Sequence, residues 1–332
     1  MRLYVVCRSV GTENAKNRPD FYGKTLALAS LIRTAGNVGV PTRLVFVNDG
    51  PIPPDRLAMM RSTGEVLPVR CGSNRSSYRL ALRLPVARGW APGDLVWFAE
   101  DDYLYTADAL PAVVAAAEKL PEADYFSVYS GARFGADATR RRPTYAPLAG
   151  AGGDAVQIGA ARWYRAVSST STFGAWVHTI GADERLLRSV PFVGGAFDHA
   201  TCLAYQGYRP FALGQLGGEP LGPGRHPAAK RIARRVALTG LRGTLNLVAL
   251  ARPERDRRVL VGSDPDLATH LETGVLAPGR DWAAEARGVQ QWLRAAPPAV
   301  GTGDPAPFPP ETGTTHSRED RAAGHPATPD RG

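Results

Sequence analysis

At 332 residues, 44% of them hydrophobic, the chain is long enough to bury a core as one large α/β domain or two smaller ones. Its three cysteines, Cys7, Cys71 and Cys202, are too few and too far apart for a disulfide framework or a thiolate zinc cluster, which fits a reduced, cytoplasmic setting. The formal charge of +9 favours anionic partners without separating nucleotide phosphates, nucleic acid and anionic lipid; no apolar run matches a bilayer span, and residues 3–7 are too short for a signal peptide.

Residues 3–7 predict a first strand, followed by a polar loop over 8–20. Residues 21–32 have helical spacing, with Leu26, Leu28, Ala29 and Ile32 apolar. A second strand over 43–47 ends in Asn48-Asp49-Gly50, a strong turn signal. A short helix opens at Pro53-Pro54-Asp55, and a short strand covers 65–70. Residues 71–77 are small and polar and lead into a helix over 78–88, where free backbone N–H groups at the helix start can meet an anion. Residues 95–99 are a buried apolar strand, and Asp108 precedes an alanine-rich helix over 109–120. A further strand covers 125–129. This strand–helix alternation predicts an α/β fold.

Beyond 130 the pattern weakens. Residues 131–155 read as a long loop carrying Arg140, Arg141 and Arg142, and 156–167 as one or two strands. Residues 173–177 follow a Ser/Thr run, and 183–189 read as a helix. An apolar helix starts near Asp198-His199, and 214–224 is a glycine-rich loop. A helix over 230–250 is expected to break near Gly240 and Gly243. Residues 263–284 are expected to be mostly loop and 282–295 a final helix. The tail from 296 is expected to be disordered, since proline, glycine and charge dominate it. The chain shows no internal repeat and no coiled-coil heptad.

The chemistry points to the end of the strand over 95–99, where Glu100, Asp101 and Asp102 stand side by side. Open α/β sheets take their ligands at the carboxyl ends of their strands. Three adjacent carboxylates repel one another, and a divalent cation relieves that cost. Hard oxygen ligands suit Mg2+ or Mn2+, which also hold phosphates. If the extended geometry continues, Glu100 and Asp102 share one side and Asp101 faces the other. Asp102 is then the expected direct metal ligand and Glu100 its partner. A solvated acidic turn is the plain alternative.

The order of these features resembles the GT-A class of nucleotide-sugar glycosyltransferases, with Glu100-Asp101-Asp102 in the place of an Asp-x-Asp motif; the first acid being Glu is a departure. The resemblance covers about residues 1–290 and is best before 130. It implies a Rossmann-like mixed sheet with helices on both faces. A nucleotide-sugar half over 1–130 would be followed by an acceptor and catalytic half over 131–295, in one compact domain. It also implies that Arg8 and Asp49 lie near the nucleotide and that Arg75 or Arg79 meets phosphate. In inverting members an acid at a helix start takes the acceptor proton; Asp198 looks like that base, with Glu219 in reserve, and an N-cap role is the plain alternative. A late histidine often completes the metal shell in this class, and His270 matches, with His199 competing and His178 and His226 behind. Ser169 to Trp176 offers hydroxyls and aromatic faces suited to a sugar or, equally, to an ordinary core strand.

The reaction this implies is sugar transfer from a nucleoside-diphosphate donor to an acceptor hydroxyl or amine, the acceptor being a glycan, a small molecule or lipid-linked. A nucleotidyltransferase and a non-catalytic nucleotide- or membrane-binding scaffold are the alternatives. The basic stretch over 225–242, with Arg225, Lys230, Arg231, Arg234, Arg235 and Arg242, is either a solvated helix face or a peripheral contact with the inner face of a membrane. No recognisable module supports nucleic-acid binding.

Overall fold

The first strand, β1 (Leu3–Val10), is buried at seven of its eight positions. It pairs in parallel on both sides, with β2 (Thr42–Asp49) and β4 (Leu95–Glu100). A parallel strand covered on both faces reads as a continuous apolar run, which is why these three strands are visible in the sequence. Alternate residues divide between the faces. Leu3, Val5 and Cys7 of β1 join Leu95, Trp97 and Ala99 of β4 in one core. Tyr4 and Val6 join Val96 and Phe98 in the other.

A computed structural model describes residues 1–13, 17–129, 155–190, 199–217 and 228–295, with the side chains of 228–231 outside that description. Most of the expected loop over 131–155, the expected tail, Asp198 and Glu219 therefore lie outside the described residues. The remaining strands are β3 (Glu65–Val69), β5 (Tyr103–Tyr105), β6 (Tyr125–Ser127), β7 (Val156–Ile158), β8 (Ala161–Arg165), β9 (Phe173–Trp176), β10 (Leu260–Asp264) and β11 (Ala268–His270). Among the described residues the main sheet runs β3-β2-β1-β4-β9-β6-β10-β8-β7, and β5 pairs β11 in a separate ribbon. β9 runs antiparallel between β4 and β6, so the sheet is mixed. The edge strand β3 tolerates Pro68, whose missing N–H would break an interior strand.

One face carries α1 (Lys24–Gly36), α4 (Ala109–Lys119) and α8 (Trp282–Ala295). The other carries α3 (Asn74–Ala87) and α5 (Val177–Ser189). Further helices are α2 (Pro54–Thr63), α6 (His199–Tyr205) and α7 (Ala228–Leu250). The architecture is a Rossmann-like, GT-A-like α/β fold, as expected.

Two expectations need correction, and a third holds with an addition. Helix α7 runs unbroken through Gly240 and Gly243. Each glycine costs a helix interior about 1 kcal/mol, but tertiary anchors outweigh this: the Asn246 side chain accepts from Phe211 N at 2.9 Å and donates to Phe211 O at 2.8 Å. The stretch over 263–284 is mostly loop, as expected, with the end of β10 and all of β11 set within it. Gly262 and Ser263 are poor strand formers, and pairing with β6 and β8 imposes the conformation. Helices α3 and α5 also start earlier than their apolar spacing suggests, α3 because Ser73 caps it by accepting from Ser76 N.

Candidate active site at the carboxyl edge of the sheet

β4 ends at Glu100, and Asp101 and Asp102 form a turn before β5 begins. The strand does not continue, so the alternation that would put Glu100 and Asp102 on one side does not apply. The three carboxylates instead reach three different cations.

Glu100 lies in register with Arg8 on the neighbouring parallel strand. Arg8 Nη2 donates to Glu100 Oε1 at 2.6 Å, and Ser171 Oγ donates to Oε2. Arg8 is 7% exposed. Its Nη1 donates to the backbone and side-chain oxygens of Asn74 and to Ser77 Oγ, and its guanidinium lies over the Tyr78 ring. The arginine expected to meet phosphate or ribose thus ties β1 and β4 to the start of α3.

Asp101 Oδ2 accepts from Ser9 Oγ at 2.8 Å, from Val10 N at 2.9 Å and from Lys24 Nζ at 3.1 Å. Lys24 also donates to Val10 O and Thr12 O. This lysine is the first residue of α1, where the helix dipole disfavours a cation. A buried lysine at that position is accounted for by the carboxylate opposite it.

Asp102 is held by the later part of the chain. The β5–β11 ribbon sets His270 opposite Tyr103, one residue on from Asp102. His270 Nε2 lies 3.0 Å from Asp102 Oδ2, across 168 positions of sequence. Arg18 Nη2 donates to the same oxygen at 3.1 Å. His270 Nδ1 lies 3.5 Å from Glu272 Oε2. Leu271 N donates to Asp102 O at 2.9 Å, fixing the ribbon end against the turn. Burial pushes the Asp102 carboxyl upward, but His270 and Arg18 outweigh it and hold the carboxyl down at about 2, against an ordinary 3.8.

That shift has a sign. A carboxyl depressed on folding adds stability that is present above its unfolded value near 3.8 and is lost as pH falls through about 2. For the metal-free chain, Asp102→Asn should therefore lag the wild type in unfolding free energy at pH 5 by about 2 kcal/mol more than at pH 2. Urea unfolding across that range would read it. A gap that does not narrow toward low pH would count against the pairing.

The other expected site residues are more dispersed. Asp49 Oδ1 accepts from Cys71 N at 2.8 Å and Gly72 N at 3.4 Å, so it closes a turn beside the β2 end. Arg75 is exposed in the first turn of α3. Arg79, expected near phosphate, donates to Arg188 O at the end of α5. Phe173 is buried in the core, and Trp176 donates Nε1 to Ala123 O, so these two rings serve packing; Ser171 is the member of that stretch that reaches the acids. His199 opens α6, and His178 Nδ1 sits 2.9 Å from Pro92 O. Asp198, Glu219 and His226 lie outside the described residues.

Arg18 and Lys24 were not singled out from the sequence, and Ser171 only as one hydroxyl of the Ser169–Trp176 stretch. Lys24 had a readable signal, a cation at a helix start. The pairing of Arg18 with Asp102 and of Ser171 with Glu100 had none, because these partners are distant in the chain.

Among the described residues no group of three His, Cys, Asp or Glu side chains is arranged to hold an ion. The donor set is one carboxylate and one imidazole. Mg2+ commonly takes one or two protein carboxylates and completes its shell with phosphate oxygens and water, so a protein shell this small is compatible with a substrate-borne ion.

No protein-family model matches the chain, and no curated protein matches it by sequence at a significant level. Among solved structures it is similar to S. aureus TarS 1-349, at 15% identity and TM-score 0.28, over 38% of this chain and 35% of that one. The chain thus spans about a third of that TarS fragment. It is similar to glucosyl-3-phosphoglycerate synthase from Mycobacterium tuberculosis, at 14% identity and TM-score 0.34, over 91% of this chain and 81% of that one. It is also similar to 4-diphosphocytidyl-2C-methyl-D-erythritol synthase, at 14% identity and TM-score 0.33, over 71% of this chain and 97% of that one.

Proposed function

We propose that this chain transfers a sugar from a nucleoside-diphosphate sugar to an acceptor hydroxyl or amine, with Mn2+ or Mg2+ as the cofactor. The observation that carries the reading is the convergence of Asp102 and His270 beside the carboxyl ends of β1 and β4. That edge is where open α/β sheets take their ligands.

Asp102 and His270 would hold the ion. A bound divalent ion supplies neutralisation of the charge that grows on the diphosphate as the sugar leaves. Arg18, which donates to the same Asp102 oxygen, would supply a cation for that diphosphate. Arg8 and Lys24 keep Glu100 and Asp101 fixed, which holds the β4 end and the loop after β1 in position. Asp198, with Glu219 in reserve, would accept the acceptor's proton in an inverting reaction.

A second reading, nucleotidyl transfer, draws on the cations Arg8, Arg18 and Lys24 bordering the loop after β1. One experiment separates the two. Thermal unfolding of the whole chain is followed with UDP-, GDP-, dTDP- and CMP-sugars, with and without Mn2+. A matching donor at about 100 times its dissociation constant adds about 2.7 kcal/mol, a rise of roughly 4 °C for a chain of this size. Such a rise only with Mn2+ supports the transferase. Pyrophosphate release from NTP and sugar phosphate, with no donor-dependent rise, overturns it.

A further inference from the structure

We infer that α7 is a docking surface for an anionic lipid bilayer, an inference that goes beyond the reaction proposed above and does not depend on it. The helix has 23 residues, about 34 Å at the usual rise. Its C-terminal half is fastened to the body. Arg242 donates to Gln215 O and lies over the Phe211 ring, Asn246 bonds both backbone groups of Phe211, and Ala249 is buried. At 100° per residue these three fall on one side of the helix.

The opposite side is open and mostly apolar. It holds Val236 and Leu247 with Ala233, Ala237 and Gly240, includes the polar Thr244, and has Ile232 and Val248 at its margins, with Lys230 in line with Val248 by helical spacing. Ile232, Val236 and Leu247 are 64%, 67% and 69% exposed. Among the described residues, six of the eleven large exposed apolar side chains belong to this helix, so the exposure is concentrated rather than scattered. The apolar face reaches past residue 242, the expected end of the basic contact, to Leu250.

Charge selects the occupant. The helix contains Lys230, Arg231, Arg234, Arg235 and Arg242 and no aspartate or glutamate. A second copy of this helix would bring further cations and no acid of its own to the contact. An anionic bilayer offers acyl chains to the apolar face and phosphates to the arginines, as interfacial amphipathic helices require. No helix among the described residues is long and apolar enough to cross a membrane, so α7 would lie in the interface. Basic residues at such a surface also make binding sensitive to salt.

The test is co-sedimentation of the full chain, without nucleotide, with phosphatidylcholine vesicles and with vesicles about one-third phosphatidylglycerol. Binding should be at least tenfold tighter to the anionic vesicles and weaken as salt rises. Ile232→Asp with Val236→Asp should lower it at least tenfold, and Arg234→Glu severalfold, with unchanged unfolding midpoints because these side chains are exposed. Equal binding to both vesicles, or no loss in the double variant, overturns the inference. So does absence of vesicle binding together with dimers that the double variant abolishes, which assigns the face to a second copy. Since no donor or metal is present, failure here leaves the transferase reading standing, and failure of the donor panel leaves this one standing.

Discussion

Asp183→Ala is expected to lower the free energy of unfolding by about 3–5 kcal/mol, the usual range when one partner of a buried ion pair is removed. Asp183 on α5 is 3% exposed. Its Oδ1 accepts from Arg252 Nη2, and its Oδ2 accepts from Arg258 Nε and from Tyr125 OH, each at 2.9 Å. Arg258 also reaches Asp124 at 3.2 Å. Without the carboxylate, two guanidinium groups and a phenol face the gap, and only Asp124 remains to balance them. Burial pushes the Tyr125 hydroxyl well upward, and the Asp183 charge adds to this, so the phenol stays a donor that would lose its acceptor. In urea the midpoint should fall with an unchanged slope. Asp183→Asn keeps one acceptor and should lose less. A loss below about 1 kcal/mol for the alanine variant would mean that the cluster is solvated and not structural.

The second large effect concerns Asp102 and His270. Asp102→Ala should remove Mn2+-dependent stabilisation by the matching donor and lower transfer by roughly a hundredfold or more, while His270→Ala should cost about tenfold to a hundredfold. Asp101→Asn should act mainly on stability, since Asp101 holds Ser9, Val10 and Lys24 and shares no contact with His270. Isothermal titration with Mn2+ and donor, beside initial rates, would read both variants. If Asp102→Ala kept full Mn2+ dependence, the ion would have to be held elsewhere and the proposed site would fall.

The parallel strands were readable because burial on both faces leaves a continuous apolar run in β1, β2 and β4, and the acids mark where β4 stops. How those acids are used was not readable. The turn at Asp101-Asp102 breaks the alternation on which any side-by-side argument rests, and the partners Arg8, Arg18 and Lys24 are chosen by tertiary contact. β5 and β11 have three residues each, too few to carry a pattern. His270 was noticed only through the resemblance to a class, since a lone histidine in a polar stretch has no periodicity to betray it. Gly240 and Gly243 misled in the other direction, because a helix is judged locally by propensity and held here by Asn246 and Arg242.

The β5–β11 ribbon has a bearing on synthesis. A ribosome that has delivered residue 200 has exposed Asp102 and Arg18, but neither the imidazole nor β10, the strand that sits between β6 and β8. A nascent chain of that length holds eight of the nine strands of the main sheet, with a gap where β10 belongs, and a carboxylate matched only to an arginine. The Asp102–His270 pair can form only after β11 has left the exit tunnel, so a chain that terminates before residue 270 lacks it altogether.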